Sequence, residues 1–478
     1  MTTSDKAHDR VAREDVLLFL NGCFAATGQR TFYRGYGQRL SIAFLHAYML
    51  VNYRPIYALM LAAGINDFNA ALVVRNLLRH PNAGDRRTPH ENALIAAALR
   101  RMPPQRVYRL FSELRRLRVN NRRTRAAIGA FLRRRDLDFD ALKYRNGLTD
   151  AVRHSRFAVD EELGDFLFHW RSRSAFERPL LEAWRAAHYA KGALYDLPFT
   201  VAEGFAARHR IPRSEFLERI KPRMTKAERE RTFREVERLG VKTDVSLARM
   251  PLLRATTTLL AMDIAERRER RETLADELRH AAKRAARGHQ RIEGRVALVL
   301  DSSHSMRGVR EQRQRPLAVA LSTAFLLDAL CDDLHVFPLR GASAGTTNLE
   351  SLIDVRPIGA TSLADATLRA LRCDPALTVI ASDGHETNPP GAIQAALDLF
   401  HAHLRRPDQQ LVHANPAFDP TLFSPRTISA HVPTLGVRDP ADLLVGMAFV
   451  RFATGVHSAA ELEAKLERIA APFVEKAA

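Results

Sequence analysis

Five oxygen-bearing side chains, at three separate points of the chain, have the types and order of a cation site. Each group follows an aliphatic run or a Gly-Ala turn, and the five residues are Asp301, Ser303, Ser305, Thr361 and Asp383. Carboxylate and hydroxyl oxygens are the ligands that hard cations prefer. Two carboxylates would leave such an ion electrophilic enough to capture an acidic group of a partner. We therefore expect one divalent cation here, Mg2+ or Mn2+.

A purely structural interpretation of the same residues stays open. Asp301 would then cap the following helix, because aspartate oxygens accept hydrogen bonds from helix N-terminal N–H groups. The serines of the D-x-S-x-S pattern at 301–305 would be ordinary turn residues.

A second pattern with chemical meaning is Gly341-Ala-Ser343-Ala-Gly345, which fits the G-x-S-x-G of serine hydrolases. A nucleophile elbow needs a helix directly after the turn, and the polar segment 346–351 is a poor helix candidate. The pattern favours a loop, and we expect no catalytic residue. His385, next to Asp383, is interpreted as a rim residue and not as a base.

Arginine is concentrated between residues 101 and 135, where twelve arginines accompany a single acid, Glu113. One guanidinium group can bind two phosphate oxygens at once, so arginines are suited to bind RNA. The candidate RNA-binding residues are Arg115, Arg116, Arg118, Arg122, Arg123 and Arg125. Few aromatic residues lie nearby, so base stacking is not expected to be the main mode of binding. The alternative is a solvated helix face.

The net charge of +19 is unevenly distributed. Residues 296–478 hold 16 basic and 20 acidic side chains, so residues 1–295 have a net charge of +23. This asymmetry indicates a polyanionic partner for the first part, although an Arg-rich surface without a ligand would give the same count. Three distant cysteines exclude a disulfide framework and a thiolate zinc site. With neither a signal sequence nor a membrane-spanning run apparent, we expect a cytoplasmic protein.

Periodicity divides the chain into a helical part and an alternating part. Apolar residues recur at helical spacing from 16 to 278, which predicts a mainly α array of diverged repeats, after a flexible N-terminus at 1–15. The charge-dense segment 279–294 is predicted to be a linker. From 295 to 478 aliphatic runs alternate with amphipathic helices, which predicts a doubly wound α/β domain. The predicted strands are 296–300, 334–339, 377–381, 410–414 and 427–432.

The cation constellation resembles the metal-ion-dependent adhesion site of von Willebrand factor A domains. The segment Ala141–His154 resembles part of the TROVE module of the Ro autoantigen family, and Met250–Arg254 and Ile380–Thr387 resemble two further parts of that family. The resemblance implies that Lys143, Arg145 and either Arg153 or His154 bind RNA. It also implies HEAT-like helical repeats followed by the A domain, and leaves open whether the array closes into a ring.

The resemblance implies an RNA-binding ribonucleoprotein component, and no enzyme. Its expected partners are small noncoding RNAs such as Y RNAs and the single-stranded ends of misfolded RNAs, as in RNA quality control. We expect a monomer, and an exoribonuclease stays open as a protein partner. The alternative function is that of an A-domain adaptor for a ring-shaped ATPase that remodels proteins or inserts metals.

Overall fold

The structure is a computed structural model of the 478-residue chain. It describes residues 3–25, 36–81, 88–225, 228–229, 246–308, 314–339, 348–406, 408–417 and 426–475. The hydrolase-like pattern at 341–345 lies outside the described residues.

Helices make up most of the described chain. Before the sheet begins they are α1 Thr3–Ala25, α2 Tyr36–Asn52, α3 Arg54–Leu59, α4 Asp67–Arg79, α5 Thr88–Arg101, α6 Pro104–Arg116, α7 Arg122–Leu132, α8 Leu137–Lys143, α9 Arg145–Ser155, α10 Glu161–His169, α11 Pro179–Ala186, α12 Phe199–Arg208, α13 Arg213–Ile220, α14 Leu252–Ala261, α15 Ile264–Glu269 and α16 Arg271–Ala285. None of the described helices is both long and apolar enough to cross a membrane.

The C-terminal part alternates strands with helices. The elements are β1 Val296–Leu300, α17 Arg315–Leu330, β2 Leu334–Pro338, α18 Leu363–Arg372, β3 Leu377–Ala381, α19 Ala392–His403, β4 Gln410–Asn415, β5 Thr434–Gly436, α20 Pro440–Ala453 and α21 Ala459–Glu475. The five strands are parallel in the order β2-β1-β3-β4-β5. Helices α17 and α20 pack together, as do α18 and α19, so the sheet is doubly wound. The predicted fold class is confirmed.

One predicted strand is in the wrong place. The segment 427–432 forms bends and a turn, and the fifth strand begins after Pro433. The apolar residues that suggested a strand serve as core instead, since Ile428 and Val432 are buried against Leu363 and Ile393 of α18 and α19. The apolar pattern at 427–432 therefore reflects burial of these side chains, and the segment has no hydrogen-bonded partner strand.

The chain forms two compact units, whose bounds differ from the predicted boundaries 1–15, 16–278, 279–294 and 295–478. One unit is Met1–Asn69 with Val245–Ala470, and the other is Ala70–Asp244 with Ala471–Ala478. Residues 3–15, predicted to be flexible, belong to α1, which packs on α20 and β5. The segment 279–294 begins inside α16, whose apolar face packs on α17. The helices at both ends of the predicted array thus belong to the unit that contains the sheet.

Capping residues and prolines set the helix boundaries in the second unit. Asn121 accepts a hydrogen bond from the Thr124 amide at 2.8 Å and begins α7, and Asp136 caps α8 in the same way. Pro104 occupies the first position of α6, where its missing N–H costs nothing. These boundaries place α6, α7 and α9 in contact with one another.

Candidate functional site

The first candidate site lies at the carboxyl edge of the sheet between β1 and β3. Strand order reverses between these two strands, and ligands of doubly wound folds bind at that switch point. Leu300 pairs with Ala381, which puts the residues that follow each strand side by side. Ser382 donates a hydrogen bond from its hydroxyl to Asp301 Oδ2 at 2.6 Å. The sheet register therefore brings the first and third loops together.

Hydrogen bonds also join the second loop to the other two. The His304 amide donates to the Gly359 carbonyl at 3.0 Å, and the Thr361 carbonyl accepts from the Thr387 and Asn388 amides at 3.1 and 3.0 Å. Ser303 and Ser305 lie with their hydroxyl oxygens 3.0 Å apart. All three loops that hold the five predicted cation ligands thus lie at one edge of the sheet.

The two carboxylates of this site are buried without a cationic partner. Asp301 is fully buried and Asp383 is 5% exposed, and among the described residues neither forms an ion pair. Burial, together with the nearby charge of Asp383, raises the pKa of Asp301 to about 6, against the lowering effect of the hydrogen bonds from Ser303 and Ser382. Two close carboxylates without a counter-charge, beside three hydroxyls, fit a divalent cation.

The donor set is suited to a hard cation and not to a softer metal that prefers His and Cys ligands. Within the described residues no group of three or more His, Cys, Asp or Glu side chains is positioned for a metal. Ser303 and Thr361 are buried, whereas Ser305 and its neighbour His304 are exposed. One side of the site is therefore open to solvent. His385 is exposed, in accord with its interpretation as a rim residue.

Two supporting residues were not predicted from the sequence. Glu386 accepts hydrogen bonds from the Ala364 amide at 3.1 Å and the Ile393 amide at 2.7 Å, so one carboxylate holds the first turns of α18 and α19. Asn415, at the end of β4, donates to the Asp383 carbonyl at 3.2 Å. Glu386 follows Asp383 by three residues, which is the only sequence signal that could have pointed to it. The signal for Asn415 is a buried amide that ends a strand.

The arginine-rich segment 101–135 forms the second candidate site, and its side chains fall into two groups. Arg123 donates to the Leu77 carbonyl and forms an ion pair with Glu91 at 2.6 Å, where it is only 12% exposed. Arg115 forms an ion pair with Asp150. These two side chains are occupied within the protein, so the structure gives them a role in packing helices together.

The remaining candidate arginines face solvent or make weak contacts, whereas Arg135, which was not a candidate, is paired with the buried carboxylate of Asp140. Arg116, Arg118 and Arg122 are exposed, and none of them has a carboxylate partner among the described residues. Arg125 donates to the Asn120 side chain at 3.3 Å. Arg122 lies in the first turn of α7, where the helix dipole disfavours a cation and favours an anion. Its position is thus poor for stability and good for binding phosphate.

The candidate residues in and near α9 also include both buried and exposed side chains. His154 is 7% exposed and its Nε2 lies 3.0 Å from the Val119 carbonyl, so His154 packs inside the protein. Arg153 is exposed and stacks on Phe168 at 4.8 Å from the ring centre. Of the two candidates, Arg153 has the exposed position. Lys143 lies over the rings of Phe139 and Tyr144.

Arg145 lies in an aromatic environment. Its guanidinium carbon is 5.1 Å from the ring centre of Phe166, 5.8 Å from that of Trp170 and 5.7 Å from that of Trp184. Its Nη2 donates to the Phe166 carbonyl at 2.6 Å. Burial lowers its pKa, and the charge of Arg171 lowers it further. Trp170 and Arg171 were not predicted from the sequence, although an aromatic residue beside an arginine was a visible signal.

Of the comparisons with known proteins, the comparison with solved structures gives a match. No protein-family model matches the sequence, and no curated protein does. Among solved structures, the chain is similar to the crystal structure of the Ro (RSR) protein of Deinococcus radiodurans. Sequence identity is 18%, the TM-score is 0.51, and the alignment covers 90% of this chain and 96% of that chain. At this identity the similarity shows the fold, which is Ro-like.

Proposed function

We propose that this protein is an RNA-binding ribonucleoprotein component of the Ro type. It binds small noncoding, Y-like RNA and the single-stranded ends of misfolded RNA, as a part of RNA quality control, and performs no catalytic step. The Ro-like fold supports this proposal. The contrast between paired and unpaired arginines in the unit Ala70–Asp244 carries it.

That contrast argues against a merely solvated helix face. Elsewhere in the same unit several arginines are closely paired with carboxylates. Arg173, Arg178 and Arg185 each form an ion pair with a carboxylate within 2.6 Å. Arg116 and Arg122, by contrast, have no such partner among the described residues. Exposed arginines without a carboxylate partner are suited to bind phosphates.

RNA binding is tested with a variant that removes only unpaired charge. We expect Arg116→Gln, Arg118→Gln and Arg122→Gln together to weaken binding of a labelled stem-loop RNA to the full-length protein. Each lost phosphate contact should reduce the slope of log K against log salt by about 0.7 to about 0.9. The slope is measured by fluorescence anisotropy between about 50 and about 200 mM KCl.

A matched control makes the same change of charge elsewhere. The variant with Arg287, Arg372 and Arg468 changed to Gln replaces three exposed arginines of the other unit. We expect it to bind RNA with the affinity and salt slope of the unchanged protein. Equal effects of the two triple variants would mean that net charge, and not a site, determines binding, and the proposal would be rejected.

The strand-end site is proposed to bind one Mg2+ or Mn2+ through Asp301, Ser303, Ser305, Thr361 and Asp383. When bound, the ion would offer an electrophilic position for an acidic group of a partner. The chain's own residues hold that position: Ser382 orients Asp301, and Glu386 fixes the helices that flank the second and third loops.

A second candidate function is that of an adaptor for a ring-shaped ATPase. The open side of the strand-end site, at exposed Ser305, favours it, because a partner carboxylate could reach the ion there. The absorbance ratio at 260 and 280 nm separates the two functions. Nucleic acid that copurifies and is lost in high salt supports RNA binding, and protein free of nucleic acid supports the adaptor.

A further inference from the structure

Two adjoining clefts of the second unit form one groove along α9. The first cleft includes Arg109 of α6 and Lys143, and the second includes Arg153, Trp170 and Arg171. Arg145 and Asn146 line both clefts, so the two lie next to each other. The first cleft has a volume of about 590 Å3 and the second of about 740 Å3, which falls in the range of small-ligand sites. We call this feature the α9 groove.

The α9 groove is strongly cationic. It contains five basic side chains that form no ion pair with a carboxylate among the described residues, namely Arg109, Lys143, Arg145, Arg153 and Arg171. The described lining has one carboxylate, Asp150, which is already bound by Arg115 and by the Ser112 hydroxyl at 2.9 Å. Several like charges without a counter-charge favour an anion with more than one charge, such as a phosphate chain.

The same groove holds rings suited to stacking. Trp170 is half-buried and fixed from the side by Trp184, with ring centres 5.0 Å apart and planes at 83°. Arg171 is exposed and lies over the Trp170 ring at 5.3 Å. Nucleobases stack on aromatic rings and on guanidinium planes when they are unpaired. The Trp170 ring and the exposed Arg171 guanidinium above it therefore offer flat surfaces for one unpaired base.

We propose that the α9 groove binds an unpaired segment of RNA. Arg109, Lys143 and Arg153 hold its phosphates, and one base stacks on Trp170 beside Arg171. This inference rests on the proposed RNA binding and adds to it a base contact. The exposed arginines of α6 and α7 provide no such contact, because no aromatic ring accompanies Arg116, Arg118 or Arg122 among the described stacking pairs.

The chain contains two tryptophans, and both lie at this groove: Trp170 lines it and Trp184 packs against Trp170. Tryptophan fluorescence of the full-length protein therefore reports on the groove. We expect a single-stranded oligouridine to quench this fluorescence and a blunt RNA duplex of equal length to leave it unchanged. Inorganic polyphosphate tests charge alone, and quenching by polyphosphate equal to that by oligouridine would overturn the base contact.

Substitution at the ring gives the second arm of the test. Trp170→Leu should weaken oligouridine binding by about fivefold to about 150-fold, since one stacked base contributes about 1 to about 3 kcal/mol. Trp170→Phe should restore most of the affinity, and duplex binding should stay unchanged in both. The control is Tyr189→Leu, which removes a 76% exposed ring that does not line the groove.

A variant at the exposed residue Arg171 provides a second test in case Trp170→Leu does not fold. Arg171→Gln should weaken oligouridine binding and leave duplex binding unchanged. Normal oligouridine binding by Arg171→Gln, or equal loss of single-stranded and duplex RNA, would overturn the α9 groove as a base-binding site. If the unchanged protein binds neither RNA, the proposed function itself fails. If only the triple arginine variant loses RNA, the function stands and the groove proposal fails.

Discussion

At the scale of single residues, Asp301 is the side chain on which the proposed cation site depends most. Its carboxylate is fully buried near that of Asp383 without a counter-charge. A divalent ion that binds only the folded state raises the unfolding temperature with its concentration. We expect Mg2+ to raise the unfolding temperature of the unchanged protein and not that of Asp301→Asn, as measured by differential scanning fluorimetry.

The same substitution has an informative effect without metal. Asp301→Asn removes a buried charge, so the metal-free variant should unfold at the same or a higher temperature than the metal-free unchanged protein. The control Asp398→Asn changes a half-exposed carboxylate on α19 and should keep the Mg2+ response. A Mg2+ response that survives in Asp301→Asn would place the ion elsewhere.

His413, in the core beside the same strand ends, gives the fold a dependence on pH. Burial lowers its pKa to about 4, and its Nε2 donates to the Ser382 carbonyl at 3.0 Å while its Nδ1 accepts from the Thr434 hydroxyl at 3.1 Å. Between pH 4 and the ordinary value of 6.5, the unfolded chain binds more protons than the folded one. The free energy of unfolding therefore falls as the pH falls through that interval.

Replacing this imidazole should remove that loss. His413→Gln cannot bind the extra proton, so we expect its unfolding temperature to fall less steeply between pH 6.5 and pH 4 than that of the unchanged protein. At pH 7 and above the variant should be the less stable of the two, because its hydrogen bonds fit less well. Parallel pH profiles of the two proteins would contradict the assignment to His413.

At the scale of elements, α1 closes the edge of the sheet. Asn21 is 4% exposed; its side-chain amide donates to the Thr434 carbonyl at 2.9 Å and accepts from the Gly436 amide at 2.8 Å. One side chain thus satisfies the free edge of β5 as a neighbouring strand would. An open strand edge is a site of aggregation, so α1 protects the domain.

Asn21→Leu should therefore destabilise the sheet-containing unit. It leaves a buried carbonyl and a buried amide without partners, each at a cost of about 1 to about 3 kcal/mol. We expect a lower unfolding temperature and increased light scattering on heating. The control Asn52→Leu changes an exposed asparagine of α2 that bonds only to its own helix, and it should behave as the unchanged protein. Equal behaviour of both variants would mean that α1 does not protect the edge.

These elements also show what the sequence could and could not predict. The sequence predicted that Asp301 and Asp383 lie at the same edge of the sheet, because the ends of neighbouring parallel strands meet there. The packing role of Arg123 was missed because its partner Glu91 is brought near only by the contact of α5 with α7. Trp170 was missed for the same reason, since the groove exists only where the turn after α10 meets α9. The sequence also contained no sign that α1 packs on an element more than 400 residues away.

At the scale of the whole molecule, the candidate RNA-binding residues and the candidate cation ligands lie in different parts of the chain. The candidate RNA-binding cations lie in Ala70–Asp244, and the two buried carboxylates of the strand-end site, Asp301 and Asp383, lie in Val245–Ala470. RNA and a divalent cation should therefore have separate footprints. Each ligand would stabilise the backbone segments whose side chains bind it, and this effect does not depend on how the two units are arranged.

Hydrogen–deuterium exchange of the full-length protein tests this separation. We expect single-stranded RNA to slow amide exchange in peptides that cover 104–122 and 143–172, because phosphate and base contacts order those helices. Mg2+ should slow exchange at 300–306, 359–363 and 381–387, and should have no effect there in Asp301→Asn. RNA protection at the strand-end loops, without protection at 104–172, would instead locate RNA binding in the sheet-containing unit and leave the arginines of α6 and α7 without a ligand.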